Sequence, residues 1–472
     1  MGEAEPLVFG TDGWRDVIGD RFTVANVRRA AYAYAEHLLE GGARTVLVGY
    51  DTRFGGEMFA RAAAETLASA GLEVGLSAGY LPTPALSFAV AHYGAGGGVM
   101  LTASHNPPLY QGFKLKGPYG GTATDAIYRD VARRVPEEAP PVSASAARVE
   151  RFDVREAYYR AVERLLDMDV LANVTGTLVH DAMGGAACGW LSGFLRSRGL
   201  AVAVEETHGR PDPLFYGVNP EPIAINLSEA RARMAGREAL FAVATDGDGD
   251  RLAVVLSGGA YFNAHQIFAV LLDELAAMGL PGRVVKTFTV SRIIERLAAV
   301  LDRPVLETPV GFKYIVAAML EGDVMIGGEE SGGIGVARHL PERDGIANAL
   351  LLLQSVARSG HALDERFRDI ERRTGWRHAY DRLDLELSGN ALKDRVMQEL
   401  RDPPAAFGGR RVLEVERRDG VKLDLDGDAW LLYRPSGTEP VLRIYCEAPD
   451  PEAVAGLLAS AREWATALER SG

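Results

Sequence analysis

"TVLVGYDTRFGGEMFARAAAETLASAGLEVG", residues 45–75, decides the fold of this 472-residue chain. It opens on an apolar β-branched run, breaks at a Gly-containing turn, continues with small and apolar residues at helical spacing, and closes on a second β-like run. That is a strand–helix–strand unit whose helix ends at Gly71, suited to a left-handed cap. Two further stretches share the pattern: "TLVHDAMGGAACGWLSGFLRSRGLAVAV" from Thr177, with Gly199 after its helix, and "RVVKTFTVSRIIERLAAVLDRPVLE" from Arg283. Each predicts a buried strand, a turn, a helix of about 10–15 residues and a second strand reached by a right-handed crossover. Copies starting at 45, 177 and 283 are too far apart for a solenoid. They predict three related α/β domains with mixed sheets.

The rest of the chain supplies joints and a different ending. "PEEAPPVSASAARVE", residues 136–150, is rich in Pro, Ala and Ser and marks a linker; the pattern changes again at "ERRTGWRH", residues 371–378. Beyond it, "RVLEVERRDGVKLDL" and "AWLLYRPSGTEPVLRIYCEA" read as strands and "PEAVAGLLASAREWATALE" as an amphipathic helix, a smaller α+β domain. The expected domains are 1–148, 149–256, 257–372 and 373–472, arranged around a central cleft.

Composition narrows the partners. With 51 Lys+Arg against 64 Asp+Glu the formal net charge is −13, and no basic stripe offers itself to nucleic acid. Only Cys188 and Cys446 are present, with no metal-type spacing, and the start "MGEAEPLVFG" is acidic without an apolar run. No window approaches the ~20 apolar residues of a membrane span. These features predict a soluble cytoplasmic protein that binds neither nucleic acid nor membrane, as a monomer or homodimer.

Four polar loops each follow an apolar strand. "GGGVML" leads to "TASHNPP", "ALFAVAT" to "DGDGDR", "DVMIG" to "GEESGG" and "WLLY" to "RPSGTEP". Ligands of α/β sheets bind beyond the carboxyl ends of strands, where loops and helix N-termini expose N–H groups. In the first loop, Pro107 and Pro108 stiffen a tip that sets Ser104 beside His105. In the second, Gly247 and Gly249 let the backbone curl so that Asp246, Asp248 and Asp250 converge, as a hard cation such as Mg²⁺ requires. An EF-hand needs Gly and Glu where this chain has Arg251 and Ser257; an acidic surface turn is the plainer alternative. The alternation of Asp424, Asp426 and Asp428 reads instead as a polar strand face running into a hairpin. "RPSGTEP" offers a phosphate cradle from Arg434, Ser436, Gly437 and Thr438, with Arg443 adding charge, although an ordinary hairpin turn has the same composition. "GEESGG" offers Glu329 and Ser331 to sugar hydroxyls, or a capped helix start.

Together these residues resemble the α-D-phosphohexomutase family over essentially the whole chain. "FGTDGWR" is similar to its N-terminal signature and "TASHNPPLYQGFKLKGP" to its phosphoserine loop; "DGDGDR", "GEESGG" and "RPSGTEP" resemble its metal, sugar-recognition and phosphate-binding loops. The resemblance implies a phosphate carried on Ser104, and Mg²⁺ held by that phosphoserine with Asp246, Asp248 and Asp250. It implies transfer to a hexose monophosphate, a hexose 1,6-bisphosphate that turns end for end, and return of its other phosphate to Ser104. Arg15, His105, Lys114, Arg251, Lys286 and Lys313 match positions near the reacting phosphate or the sugar. Arg15, His105 and Lys313 are the candidates for proton handling or charge stabilisation, and plain ionic steering is the alternative for the lysines.

"GFKLKGP", "TPVGFKYI" and "PERDGIANAL" look more like phosphoglucomutases and dual phosphoglucomutase/phosphomannomutases than phosphoglucosamine mutases. Gly333 stands where phosphoglucosamine mutases and some dual enzymes carry His, and Phe312 where animal-type glucose enzymes carry Trp. Glucose phosphate is the favoured substrate and mannose phosphate the second. The alternatives are a phosphoglucosamine mutase, a Mg²⁺-dependent sugar-phosphate phosphatase, and a non-catalytic sugar-phosphate sensor.

Overall fold

The computed structural model describes residues 6–142, 149–436 and 440–470, which form two compact units. Unit one takes in residues up to Val285 and Gly311–Arg366; unit two takes in Lys286–Val310 and the chain from Phe367 onward.

Within unit one, Thr45–Tyr50 lies parallel to both Glu73–Ser77 and Gly97–Leu101. Gly97–Leu101 is buried along its whole length, which explains a continuous apolar run in place of alternation. The helix Gly56–Ser69 connects the first pair, and Gly71 follows it with φ +107°. Gly97–Leu101 then turns back antiparallel into Tyr110–Gly117, so the loop bearing Ser104 is the connection between two central strands. Trp14–Val17 pairs with the far side of Tyr110–Gly117, bringing Arg15 opposite Gly112.

The second sheet has the order Tyr261–Phe262, Leu252–Val255, Phe241–Thr245, Gly176–Asp181, Val202–Thr207. Its helix, Trp190–Ser197, has 8 residues, shorter than the spacing suggests. Met183, Gly184 and Gly189 all take positive φ, so the chain winds through an irregular turn before the helix begins. The 8-residue helix Ile293–Val300 of unit two is short as well. Tyr261–Phe262 pairs antiparallel with Leu252–Val255, so this sheet continues past residue 256. The remainder of unit one contains the hairpin Val324–Gly328/Ile334–Val336 and the helices Ala264–Ala277, Phe312–Glu321 and Gly345–Ser359. Asn263 and Gln266 form a capping box on the first helix, and Asp344 caps the last.

Unit two is an antiparallel six-stranded sheet covered by Asn390–Glu399 and Pro451–Arg470. Phe288 packs on Trp430, Leu432 and Tyr445, and the Arg292 N–H donates to the buried Glu447 carboxylate at 3.0 Å. The strands Val421–Leu425 and Ala429–Pro435 form a hairpin through Gly427 and Asp428, both at positive φ; Asp424 pairs with Arg292. Arg434 and Pro435 still belong to the strand, so the candidate phosphate loop starts at Ser436. Among the described residues no helix is long and apolar enough to cross a membrane.

One buried ion pair fastens the Ser104-bearing sheet to the segment before Gly345. Lys116 on Tyr110–Gly117 pairs with Glu342, which also accepts from Ser87 (3.0 Å) and Thr122 (3.2 Å). Lys116→Met removes the closest cation of that buried carboxylate, leaving only Arg343 Nε at 3.8 Å, and should cost about 3 kcal/mol. The expected readout is a lowered melting midpoint, with Lys116→Met/Glu342→Met recovering more than half of the loss; a single variant that melts like the parent refutes it.

Candidate active site

Asp246 directly follows the strand Phe241–Thr245, and its Oδ1 accepts the N–H groups of Asp250 (3.0 Å) and Arg251 (3.1 Å), which closes the turn on itself. Gly249 sits at φ +71°, as a tight curl requires. Gly247 is needed for another reason: a Cβ there would lie 2.5 Å from the Ser104 carbonyl oxygen. The turn and the serine loop are therefore packed backbone to backbone.

Oxygens of the three aspartates lie within 4.8 Å of one another, and all three side chains are buried. Their outer oxygens are occupied. Lys114 Nζ donates to Asp248 Oδ2 (2.8 Å) and Asp250 Oδ2 (3.4 Å) and pairs with Asp12 (3.0 Å). Thr83 Oγ1 donates to Asp248 Oδ2 at 2.6 Å, and Arg343 meets Asp250 Oδ2 at 2.7 Å and Asp12 Oδ2 at 2.8 Å. The inner oxygens, Asp248 Oδ1 and Asp250 Oδ1, are buried without a hydrogen-bond partner. An all-oxygen set with two orphaned acceptors fits a hard divalent cation. Burial and the repulsion of Asp250 and Asp248 push Asp246 well above the usual carboxylate range. Burial also opposes the charge on Asp248, yet Lys114 and Thr83 hold that group well below the range.

Ser104 faces this cluster. Its Oγ donates to Asp246 Oδ2 at 2.9 Å, and its backbone takes φ +52°, a left-handed conformation rare outside glycine. The restraint comes from Arg53. One of its terminal nitrogens donates to the carbonyls of Ser104 and Asn106 (both 2.6 Å), and the other to those of Pro107 (2.8 Å) and Tyr110 (3.0 Å). Arg53 is in turn paired with the buried Asp51 at 3.2 Å and lies 4.7 Å from the Phe215 ring centroid. Arg15 donates to Asn106 Oδ1 at 2.7 Å. His105 Nδ1 is buried without a partner; burial, with Arg251 and Arg15 near, holds the ring well below its ordinary pKa and so uncharged.

The sugar-loop candidates lie in the same unit. Glu329 begins the turn between Val324–Gly328 and Ile334–Val336 and accepts the Gly311 N–H at 3.1 Å; Ser331 is half-buried in that turn. Arg251 makes a β-bridge with Gly333, joining the aspartate turn to this loop. Burial raises Glu329 to about 7, against the pull of Arg343 and Arg251.

The three candidate lysines all have carboxylate partners within the protein. Lys114 has all three N–H donors committed to aspartates, so it organises carboxylates. Lys286 is wholly buried in unit two, where Glu295 (2.8 Å), Glu307 (2.9 Å) and the Val290 carbonyl (3.1 Å) use its three donors, leaving none for a phosphate or sugar. Lys313 pairs with Asp125 at 2.6 Å. Also in unit two, Arg434 and Arg443 stand directly opposite on neighbouring strands, with Arg434 steadied by Asp419 at 3.2 Å. Ser436 is held by the Lys393 ammonium on its carbonyl (2.8 Å). Gly437 and Thr438 lie outside the described residues. Asp12, Asp51, Arg53, Thr83 and Arg343 join the site through contacts that local sequence does not mark. Asp51 and Arg53 stand in a loop directly after an apolar strand, the placement that exposed the other four loops.

Four family models match in order: phosphoglucomutase/phosphomannomutase alpha/beta/alpha domain I over residues 6–141, domain II over 156–259, domain III over 263–373 and the C-terminal domain over 393–463. The chain is 29% identical to a phosphoglucomutase/phosphomannomutase of Thermococcus kodakarensis, covering 94% of this chain and 95% of that protein. It is 32% identical to a phosphoglucosamine mutase of Rubrobacter xylanophilus, covering 94% of each. A crystal structure of a "putative phosphomannomutase" from Thermus thermophilus matches with a TM-score of 0.89 and 47% identity, covering 98% of this chain and 99% of that one.

The raised Glu329 sets a pH dependence. Between about 4.5 and about 7 the folded protein keeps a proton that the unfolded chain has released, so this group's contribution to stability falls as pH rises through that window. Glu329→Gln should therefore gain in melting midpoint over the parent from pH 4.5 to 7.5. Asp51, pushed up to about 6 by burial, is present in both proteins and cancels in the difference. A difference that stays flat with pH rules the assignment out.

Proposed function

The chain belongs to the phosphoglucomutase/phosphomannomutase family and is a phosphohexomutase, an isomerase; from that membership we propose that it interconverts hexose 1-phosphate and hexose 6-phosphate by way of a phosphorylated Ser104 and a hexose 1,6-bisphosphate. Glucose phosphate is the favoured substrate and mannose phosphate the second. The observation that carries this reading is the 2.9 Å approach of Ser104 Oγ to Asp246 within the buried aspartate cluster. A hydroxyl with no cluster beside it would suit a surface turn, and a cluster with no hydroxyl would suit a phosphatase or a structural cation site.

Mg²⁺ would be held by Asp246, Asp248, Asp250 and the phosphorylated Ser104, and when bound it supplies charge withdrawal from the phosphoryl oxygens. The chain's own groups do the rest. Arg53 holds the serine loop, so that Oγ need not be reoriented at the moment of transfer. His105, kept neutral, offers an unpartnered Nδ1 to take the proton released by the attacking sugar hydroxyl, while Arg15 at the same loop adds positive charge. Glu329 and Ser331 are assigned to the sugar hydroxyls. Arg434 and Arg443, like charges set across neighbouring strands, favour a bound anion between them; with Ser436, Gly437 and Thr438 they are assigned to the phosphate that is not reacting.

A second reading, glucosamine phosphate as substrate, is favoured by the similarity to phosphoglucosamine mutases. Coupled assays on glucose, mannose and glucosamine 1-phosphates separate the two.

Ser104→Ala should lower turnover by at least about a thousandfold while sugar-phosphate affinity changes little, and intact mass should show one phosphoryl group on the parent and none on the variant. Normal turnover by the variant sinks the phosphoserine. Arg434→Ala should raise KM about tenfold or more with a smaller change in kcat, the signature of a lost charge-assisted contact made throughout the cycle. An unchanged KM removes Arg434 from the cradle.

A further inference from the structure

Gly333 has ordinary φ, yet a Cβ placed there would lie 2.5 Å from Cδ of Arg343 and 3.2 Å from its Cγ. The arginine side chain thus occupies the space that a residue 333 side chain would fill. Arg343 comes from a different segment, just before the helix Gly345–Ser359, and its side chain is only 4% exposed. It arches over the sugar-loop candidate with its guanidinium 5.1 Å from the Phe312 ring centroid. One terminal nitrogen is committed to Asp250 and Asp12. The other stands 3.9 Å from Glu329 Oε2. The loop assigned to sugar recognition therefore has a fixed positive charge beside its acid, supplied from outside the loop and made possible by the missing side chain at 333.

We propose that Arg343, lodged over Gly333, is a specificity-determining residue that selects hexose phosphates with neutral hydroxyls and rejects amino-sugar phosphates. This rests on the assignment of Glu329 to the sugar. A hydroxyl can donate to Glu329 while the guanidinium remains beside it. An ammonium that sought the same carboxylate would be brought within a few ångströms of a like charge in a buried setting, where Coulomb repulsion is poorly screened. The guanidinium cannot relieve the conflict by losing its proton, and its grip on Asp250 and Asp12 prevents it from swinging away.

The test is the ratio of kcat/KM for glucosamine 1-phosphate to that for glucose 1-phosphate. The parent should favour glucose 1-phosphate. Arg343→Met should raise the ratio at least about tenfold, whereas Arg343→Lys, which keeps the charge, should leave it within about threefold. Gly333→Ala should displace the guanidinium and move the ratio in the same direction, with no added effect on the Arg343→Met background. General damage to folding lowers both substrates together and leaves the ratio unmoved. A ratio unchanged in both Arg343→Met and Gly333→Ala, with glucose 1-phosphate still turned over, overturns the proposal alone. A parent that turns over none of the sugar phosphates overturns the proposed function, and this proposal with it.

Discussion

Three carboxylates buried around one turn would drive each other apart unless positive charge and hydrogen bonds surrounded them. That compensation organises unit one. Lys114 arrives on a strand of the first sheet, Thr83 at the start of a helix, Arg343 before the last long helix, and Asp12 binds both cations from behind. Each partner comes from a separate part of the chain, so satisfying Asp248 and Asp250 also fixes the sheets and the hairpin relative to one another within the unit. Burying an ion cluster gives little net stability when every desolvation cost is counted. Its value is definition: the outer oxygens are fully engaged, and the inner ones are left in one orientation.

The serine loop is subject to a similar constraint in its backbone. Left-handed φ at a non-glycine residue costs of order 1 kcal/mol, and a free loop would relax out of it. Arg53 removes that freedom by binding four carbonyls of the loop, and the close approach of Gly247 to the Ser104 carbonyl leaves no room to turn the other way. The two prolines stiffen the tip, yet the orientation of Ser104 is set by a guanidinium about fifty residues earlier in the chain. Proton transfer and phosphoryl transfer both gain from such rigidity, because the reacting oxygen is already where the charge will develop.

What the sequence disclosed follows from how each feature is encoded. Strand–helix–strand units announce themselves through local periodicity, and loops such as "TASHNPP" and "DGDGDR" through unusual composition next to an apolar run. The pattern after Asp181 overstates the helix because positive φ at Met183 is invisible in residue type. The partners of the cluster are harder to read. Lys114 and Lys286 look alike as basic residues on apolar strands, and only three dimensions reveal that each spends its donors inside the protein, mostly on carboxylates. Arg53 and Arg343 act across long sequence separations, so no window contains both ends of their contacts. The packing of Phe288 on Trp430 and of the Arg292 N–H on Glu447 is equally hidden from local pattern, since Arg292 and Glu447 stand 155 residues apart.

Unit two provides a contrast that bears on where chemistry resides. Glu447 is as buried as the aspartates, yet it accepts from Trp376 (3.1 Å), Trp430 (2.6 Å), the Arg292 N–H, Ser291 and His378. With its oxygens surrounded by donors, it has no capacity left for a ligand, and its charge serves to hold two tryptophans and a helix start in place. Asp248 and Asp250 have equally good partners on one oxygen and no hydrogen bond on the other. Burial and charge are common to both sites. Incomplete satisfaction distinguishes them, and in a turn of convergent carboxylates it leaves acceptors that a ligand or a reacting group can complete.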